Sequence, residues 1–494
     1  MNTAYQRIVV VGGGSAGWMA ATALASALPA STVELVESEE IGIVGVGEAT
    51  FPSIRAFHRI LGIDEAQFLR ATNGTFKLGI EFRDWRTPGE HYLHTFGDLG
   101  GLSGPQSLWG QYRRVGDAQL GALGEQCLPS VMARQGRFQL APSEREQQFN
   151  YAYHFDATLY ALFLRGIALQ RGVRRTEGRI EHVVRRADGG VGQLKLADGR
   201  VLEGDLFIDC SGFASLLIGR ALEQPFVDYG HWLPVDRAWA CPTERSVAAL
   251  APTTRATAME AGWAWRIPLR NRTGHGHVFA SRYIDEGRAC EQLLRQLDGA
   301  PVAEPRLLRF KTGHRARFWS HNVVALGLSS GFLEPLESTS IFLVQSGLGR
   351  LIDLLLPGVV PAEAAVAAYN AGMVRQFERV RDFIILHYCL TVRRDSQFWR
   401  DMANLELPET LAFKIHAWRE AGALHQYDEE GFDATSWLAV HAGMGHWPRR
   451  ADPSLRDMPQ EDALRALRLR RDSIAATVAA MPRHEDYLNS VLAR

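Results

Sequence analysis

An α/β fold, with a β-α-β unit of a parallel sheet at its N-terminus and a largely helical C-terminal region, is what the sequence predicts from three observations. An apolar strand (residues 8–11), a glycine turn, an Ala-rich helix (about 15–28) and a second strand (33–36) follow one another within forty residues. A later strand, residues 322–326, runs into a Gly/Ser-rich turn and a long helix from about 338 to 355. From about residue 361 onward the apolar spacing is helical, with Trp399, Trp418, Trp437 and Trp447 distributed through it. The expected division is a module over residues 1–360 with inserted β-rich segments, and a helical region over 361–494.

The first turn reads Gly12-Gly13-Gly14-Ser15-Ala16-Gly17, between a strand and a helix, and Glu37 ends the second strand 20 residues after Gly17. This is a dinucleotide fingerprint in its required context. Gly12 permits the tight turn, Gly14 lets backbone approach a pyrophosphate, and Gly17 allows close helix–strand packing. The helix start at Ser15 and Ala16 offers N–H donors to phosphate, and the Glu37 carboxylate can accept from ribose hydroxyls.

The glycine-spaced segment 41–52, with Gly47 and Ala49, suits an extended loop against a flat ligand, and Leu326 and Gly327 belong to the same candidate cradle. Next, a helix over 157–169 leads to a β-meander that turns at 187–190 and ends in a strand over 205–209. The Asp209-Cys210-Ser211-Gly212 turn follows. A second fingerprint is absent, since Gly189 and Gly190 lie in a hairpin turn; if the bound nucleotide is a flavin, no obvious segment holds NAD(P)H, and reducing equivalents are then expected from outside the chain.

Composition excludes several partner classes. The 54 Lys+Arg against 55 Asp+Glu leave a net charge of −1, without the basic blocks that hold nucleic acid or anionic membranes. Arginine clusters such as 465–471 are short and read as a solvated helix face. No run approaches the length of a membrane span, and the N-terminal apolar run lacks the features of a secretory leader. Five dispersed cysteines without a C-x-x-C pair disfavour zinc or a disulfide framework, so no metal is expected and a reducing cytoplasmic setting is. Only four basic residues are lysines, Lys77, Lys195, Lys311 and Lys414.

Four segments together resemble the flavin-dependent halogenases of the tryptophan halogenase type, from the N-terminus to about Trp447. Gly262-Trp263-Ala264-Trp265-Arg266-Ile267-Pro268 matches the W-x-W-x-I-P signature of that family. Thr75-Phe76-Lys77-Leu78-Gly79 resembles the setting of its essential lysine. The stretch Glu334-Pro335-Leu336-Glu337-Ser338-Thr339-Ser340 resembles E-P-L-E-S-T-G, with Ser340 where glycine is usual. Tyr92-Leu93-His94-Thr95-Phe96-Gly97 and Trp437 resemble the segments around an indole site.

The resemblance implies an FAD-binding three-layer fold of the flavin monooxygenase (p-hydroxybenzoate hydroxylase-like) type and halogenation, by chlorination or bromination, of an electron-rich arene. Reduced FAD, oxygen and a halide would generate hypohalous acid, with a separate flavin reductase as partner. Lys77 and Glu337 are then the catalytic pair, and Thr339 and Ser340 the halide cradle. His94, Phe96, Ser338 and Trp437 would line the arene site, and Trp263 and Trp265 would wall flavin from substrate. Tryptophan-specific relatives hold the amino-acid end with a Tyr-Tyr pair and a glutamate. Here Leu424-His425-Gln426-Tyr427 stands in that region, with Asp428, Glu429 and Glu430 out of register. Indole or an indole-containing compound is therefore expected rather than free tryptophan. An aromatic flavin monooxygenase and a non-catalytic flavin-binding protein, with or without homodimerisation, are the alternatives the residues leave open.

Overall fold

The structure is a computed structural model and describes residues 5–40, 47–104, 107–143, 145–246 and 248–493. Residues 41–46 of the expected extended segment lie outside the described residues. Two compact units are each assembled from three stretches. Met1–Gly74, Phe155–Asp236 and Arg309–Glu378 form the first, and Thr75–His154, Arg237–Leu308 and Arg379–Arg494 the second.

In the first unit, strand β1 (Arg7–Val11) lies inside a six-stranded sheet between Leu206–Asp209 and β2 (Thr32–Glu37). Val323–Ala325 and Arg174–Glu177 extend the sheet in parallel, and Trp319–Ser320 closes one edge antiparallel. A parallel strand covered on both faces buries every side chain, which explains the unbroken apolar run Ile8-Val9-Val10-Val11, none above 2 % exposed. Helix α1 (Ser15–Ala27) packs against the helices Ala157–Gln170 and Ser340–Leu355. Residues 17–24 are consequently all buried, and small alanines allow the close approach.

One expectation is corrected here. The meander does not end in residues 205–209; its antiparallel strands are Ile180–Arg185, Val191–Leu196 and Val201–Glu203. Leu206–Asp209 instead enters the parallel sheet beside β1. Leu206, Phe207 and Ile208 are fully buried on both faces, which a half-exposed meander strand does not offer.

The second unit is built on a seven-stranded sheet in the order Arg306–Arg309, Arg237–Glu244, Arg272–Phe279, Gly262–Pro268, Thr253–Met259, Gly79–Arg83, His91–Thr95. Its registered pairs are antiparallel except Thr253–Met259 with Gly79–Arg83. Helices follow late in this unit, among them Glu409–Ala421, Ala434–Gly443 and Gln460–Ala480. Tryptophans fasten this unit through indole N–H groups: Trp399 donates to the Met259 carbonyl and Trp418 to that of His446. On Gln460–Ala480, Ala463 and Leu467 face inward while Arg465 and Arg468 are exposed, the solvated face the sequence predicts. Among the described residues, no helix is long and apolar enough to cross a membrane, and no His/Cys/Asp/Glu group could hold a metal ion.

Candidate active site

The glycine turn of the first unit is shaped by contacts that no side chain could share. Gly12 has φ +113°, and a Cβ there would lie 2.3 Å from the Cys210 carbonyl oxygen. A Cβ on Gly17 would lie 1.8 Å from the Gly12 carbonyl oxygen, so the helix starts tight against the turn. Above Gly14 the space is open, with no atom within 4 Å of an added Cβ. The first helical turn, Ser15 to Gly17, carries N–H groups that no intrahelical carbonyl can accept. Gly327, at φ +69°, closes against Ala16, where a Cβ would meet the alanine methyl at 2.9 Å. Leu326 N–H donates to the Asp209 carbonyl, tying that turn to the sheet end.

Glu37 reaches back over the turn. Its carboxylate takes Arg175 Nε at 2.6 Å and Trp18 Nε1 at 3.3 Å, with Arg165 at 3.6 Å. Glu37 Oε2 stands 1.5 Å from where a Gly13 Cβ would be, so the middle glycine makes room for the acid, a role the fingerprint does not specify. Asp209 is fully buried and organises the neighbouring turn, accepting from Ser211 and from the N–H groups of Leu217 and Ile218. An open space over Gly14, donors at a helix start and an acid at the strand end fit the pyrophosphate and ribose of FAD.

The segment expected to carry the second catalytic residue lies in the same unit. Pro335–Glu337 forms a single tight helical turn, Ser338 sits at φ +61°, and the helix Ser340–Leu355 begins behind Thr339. A serine in left-handed backbone stores strain of about 1–3 kcal/mol. Glu337, Ser338 and Thr339 are 2 %, 4 % and 1 % exposed, while Ser340 is half-buried. Thr339 Oγ1 is buried without a hydrogen-bond partner among the described residues. Phe51 packs on Phe342 at 5.2 Å and Ser53 donates to Gln345 at 2.6 Å, which holds the end of the 41–52 segment to this helix. Beside it, Gly47 and Ala49 are buried in the short strand Gly47–Ala49.

Lys77 belongs to the second unit and is fully buried. Its strand, Thr75–Lys77, pairs antiparallel with residues 152–154, Lys77 opposite Ala152. Alternation along the strand sends Phe76 into an aromatic cluster with Phe138 at 4.5 Å and Lys77 to the other face. The Lys77 ammonium stands 5.3 Å from the centre of the Phe96 ring. Thr75 Oγ1 donates to the Pro268 carbonyl at 3.0 Å and therefore accepts from His154 Nδ1 at 3.0 Å, leaving Nε2 to accept from Thr254 at 2.9 Å. The proline that ends the W-x-W-x-I-P strand is thus fastened to the lysine strand. Burial, and then the Lys77 charge, push the His154 pKa well down, so this ring is neutral.

Trp263 and Trp265 lie on one face of the central strand, 6.2 Å apart and 1 % and 8 % exposed. Gly276 lets Trp265 lie flat, since a Cβ there would fall 2.0 Å from the indole. His94, 2 % exposed, lies 5.6 Å from Phe383, which stacks on Phe432 at 3.9 Å and meets Trp437 edge-on at 5.1 Å. Trp437 is 2 % exposed, and the Lys414 ammonium stands over its ring at 3.8 Å.

Sequence patterns gave no sign of Glu48, His154, or the Lys414–Glu430 pair as site elements. Burial raises the Glu48 carboxyl to about 7. Lys414 is a lysine at a buried helical position, a signal present in its spacing with Leu411 and Trp418.

The tryptophan halogenase family profile matches residues 7–460. The chain belongs to the tryptophan halogenase family. It is 35 % identical to tryptophan 6-halogenase SttH of Streptomyces toxytricini over 97 % of both chains. Flavin-dependent halogenases from Xanthomonas campestris and from Brevundimonas sp. BAL3 are each 43 % identical over 99 % of both chains, with TM-scores of 0.95 and 0.92. The fold is the FAD-binding fold of these halogenases, and this tryptophan halogenase family member is a flavin-dependent enzyme using reduced FAD and a halide. Enzymes of this class work with a separate flavin reductase and an aromatic substrate.

Proposed function

We propose that this halogenase chlorinates or brominates indole or an indole-containing compound, with Lys77 and Glu337 as the catalytic pair. The observation that carries this reading is an ammonium fully buried on a strand of small and apolar neighbours, against an aromatic ring, within a chain of this family. Gly12, Gly14, Ser15, Ala16, Gly17, Glu37, Gly47, Ala49, Leu326 and Gly327 would hold reduced FAD, whose two electrons would allow oxygen and halide to yield the hypohalous acid that serves as electrophile. Thr339 and Ser340 hold the halide through N–H groups at the start of their helix, where the dipole favours an anion. Ser340 adds a hydroxyl where the family commonly has glycine and sets the preference between chloride and bromide.

Lys77 hydrogen-bonds the hypohalous acid and aims it at the arene, a task that suits a compact ammonium with three donors. Attack of the ring on the halogen breaks the O–halogen bond and builds positive charge on the ring, which the Glu337 carboxylate stabilises before accepting the ring proton; that proton and the expelled hydroxide leave as water. His94, Phe96, Ser338 and Trp437 orient the arene, and Trp263 and Trp265 wall it from the flavin. In this reading residues 1–360 contribute the flavin module with inserted β-rich segments on the substrate side, and the helical residues 361–494 complete the substrate site. We read the enzyme as cytoplasmic, working with a separate reductase, and a homodimer is the assembly to test by sedimentation.

The deciding experiment supplies purified enzyme with FAD, a flavin reductase, NADH and either bromide or chloride, and follows indole and L-tryptophan by mass spectrometry. Halide-dependent product on indole, exceeding that on tryptophan, is the expected result. Much faster turnover of tryptophan would overturn the substrate reading, and hydroxylated product without halide would replace halogenation by oxygenation.

A further inference from the structure

Lys195 and Lys311 are exposed, whereas Lys77 and Lys414 are buried. The helix Glu409–Ala421 buries Leu411, Lys414 and Trp418 at i, i+3 and i+7, so Lys414 projects from an apolar face. Its ammonium pairs with Glu430 and stands 3.8 Å from the Trp437 ring centre and 5.3 Å from that of Tyr427. Glu430 Oε1 also accepts the Tyr427 N–H at 3.3 Å. Its other oxygen, Oε2, is buried without a hydrogen-bond partner among the described residues, as is Trp437 Nε1. Both side chains of the pair are at least nine-tenths buried, at 4 % and 7 % exposure.

Of the surrounding charges, Asp382 is engaged, whereas Arg379 keeps one buried nitrogen, Nη1, without a hydrogen-bond partner among the described residues. Asp382 accepts from Arg381 and Thr410, and Arg379 lies 4.4 Å from the Tyr427 ring centre while donating to the Asp428 carbonyl. A carboxylate in this setting, flanked by aromatic faces and with one oxygen still open, forms a receptor for an ammonium. The chain fills that receptor itself.

Resting on the reading of Trp437 as part of the arene site, we propose that the Lys414–Glu430 pair determines specificity. Lys414 is a tethered ammonium that occupies the cation site formed by Glu430 and the Trp437 face. It thereby selects for indoles without a cationic arm and rejects those that carry one, by occupancy and by like charge.

Lys414→Ala is the test, because it leaves the Glu430 carboxylate open to an outside cation. Thermal unfolding with and without ethylammonium chloride, against sodium chloride at equal ionic strength, is compared for wild type and variant. Turnover of tryptamine against indole is then measured in both. Ethylammonium is expected to raise the Tm of Lys414→Ala and not that of the wild type. The tryptamine-to-indole ratio of kcat/KM is expected to rise about tenfold or more, chiefly through a lower KM for tryptamine. The Lys414→Met/Glu430→Gln double variant, neutral and of similar volume, should show neither effect.

An ethylammonium response that is absent, or equal in variant and wild type, would overturn the proposal, as would an unchanged substrate ratio. Should Lys414→Ala not be recovered folded, Lys414→Met keeps the stem volume and is judged by the same two readouts. Ethylammonium stabilisation involves no substrate, whereas the wild-type preference for indole over tryptophan tests the underlying reading, so the two fail separately.

Discussion

The two buried lysines of the second unit are held in opposite ways. Lys414 rises from a regular helix into a matched carboxylate and two aromatic faces, and its charge is committed to Glu430. Lys77 sits on a three-residue strand against Phe96, beside a histidine that burial keeps neutral. Burial pulls the Lys414 ammonium below the ordinary lysine value, while Glu430 and Asp382 oppose it. The contrast teaches that burial alone does not mark a reactive lysine. Lys414 is set on a helix against a carboxylate and two aromatic faces, and Lys77 on a short strand beside the Phe96 ring, so the element that carries each lysine differs.

Breaking the Lys77 side of this contrast should have the largest effect. Lys77→Ala is expected to lower halogenation by about 10³-fold or more, equivalent to about 4 kcal/mol of barrier. Flavin binding, followed by absorbance titration, should survive, since the glycine cradle belongs to the other unit. Loss of flavin binding in that variant would make Lys77 a residue that holds the fold rather than one that acts on the substrate.

Breaking the Lys414 side should cost stability first. Glu430→Gln strands a buried ammonium, and chemical denaturation should show a loss of about 3 kcal/mol. The deficit should shrink as pH rises, because a lysine whose folded pKa is depressed below its unfolded value sheds its proton and with it the desolvation cost. A pH-independent deficit would mean that packing, not charge, holds the helix there.

The smallest effect sharpens the comparison with a buried acid. Glu48 has its folded pKa raised from 4.5 to about 7 by burial. For an acid raised in this way, its contribution to stability is fully present below the unfolded value and is lost as pH rises through the folded one. Tm should therefore decline by about one to a few degrees as pH rises from about 4.5 to about 7 and level off above it, and Glu48→Gln should flatten the decline.

Most of the parallel-sheet unit was legible in the sequence because its signals are local. The turn glycines, the helix that follows them and Glu37 lie within one β-α-β unit, where chain connectivity alone sets their neighbours. Residues 205–209 were misplaced because a short apolar run carries no information on which sheet receives it. Pairing with Arg7–Val11 is a contact across almost two hundred residues. Gly13 was seen as one glycine of a motif, yet its lack of a side chain serves Glu37, which only the folded distance reveals.

What the sequence by itself determined is the class of chemistry: a glycine fingerprint, a tryptophan signature and a lysine among apolar neighbours keep their meaning wherever the chain carries them, since each is a short segment with its own backbone requirements. How those segments are braced and which charges are paired was settled by contacts between distant parts of the chain. Thr75 joins Pro268 through one hydroxyl and His154 through another bond of the same oxygen, and Glu430, in the loop seven residues before Trp437, meets Lys414 on the helix Glu409–Ala421. Such pairings follow from burial, which forces every buried polar group to find a partner in space rather than along the chain.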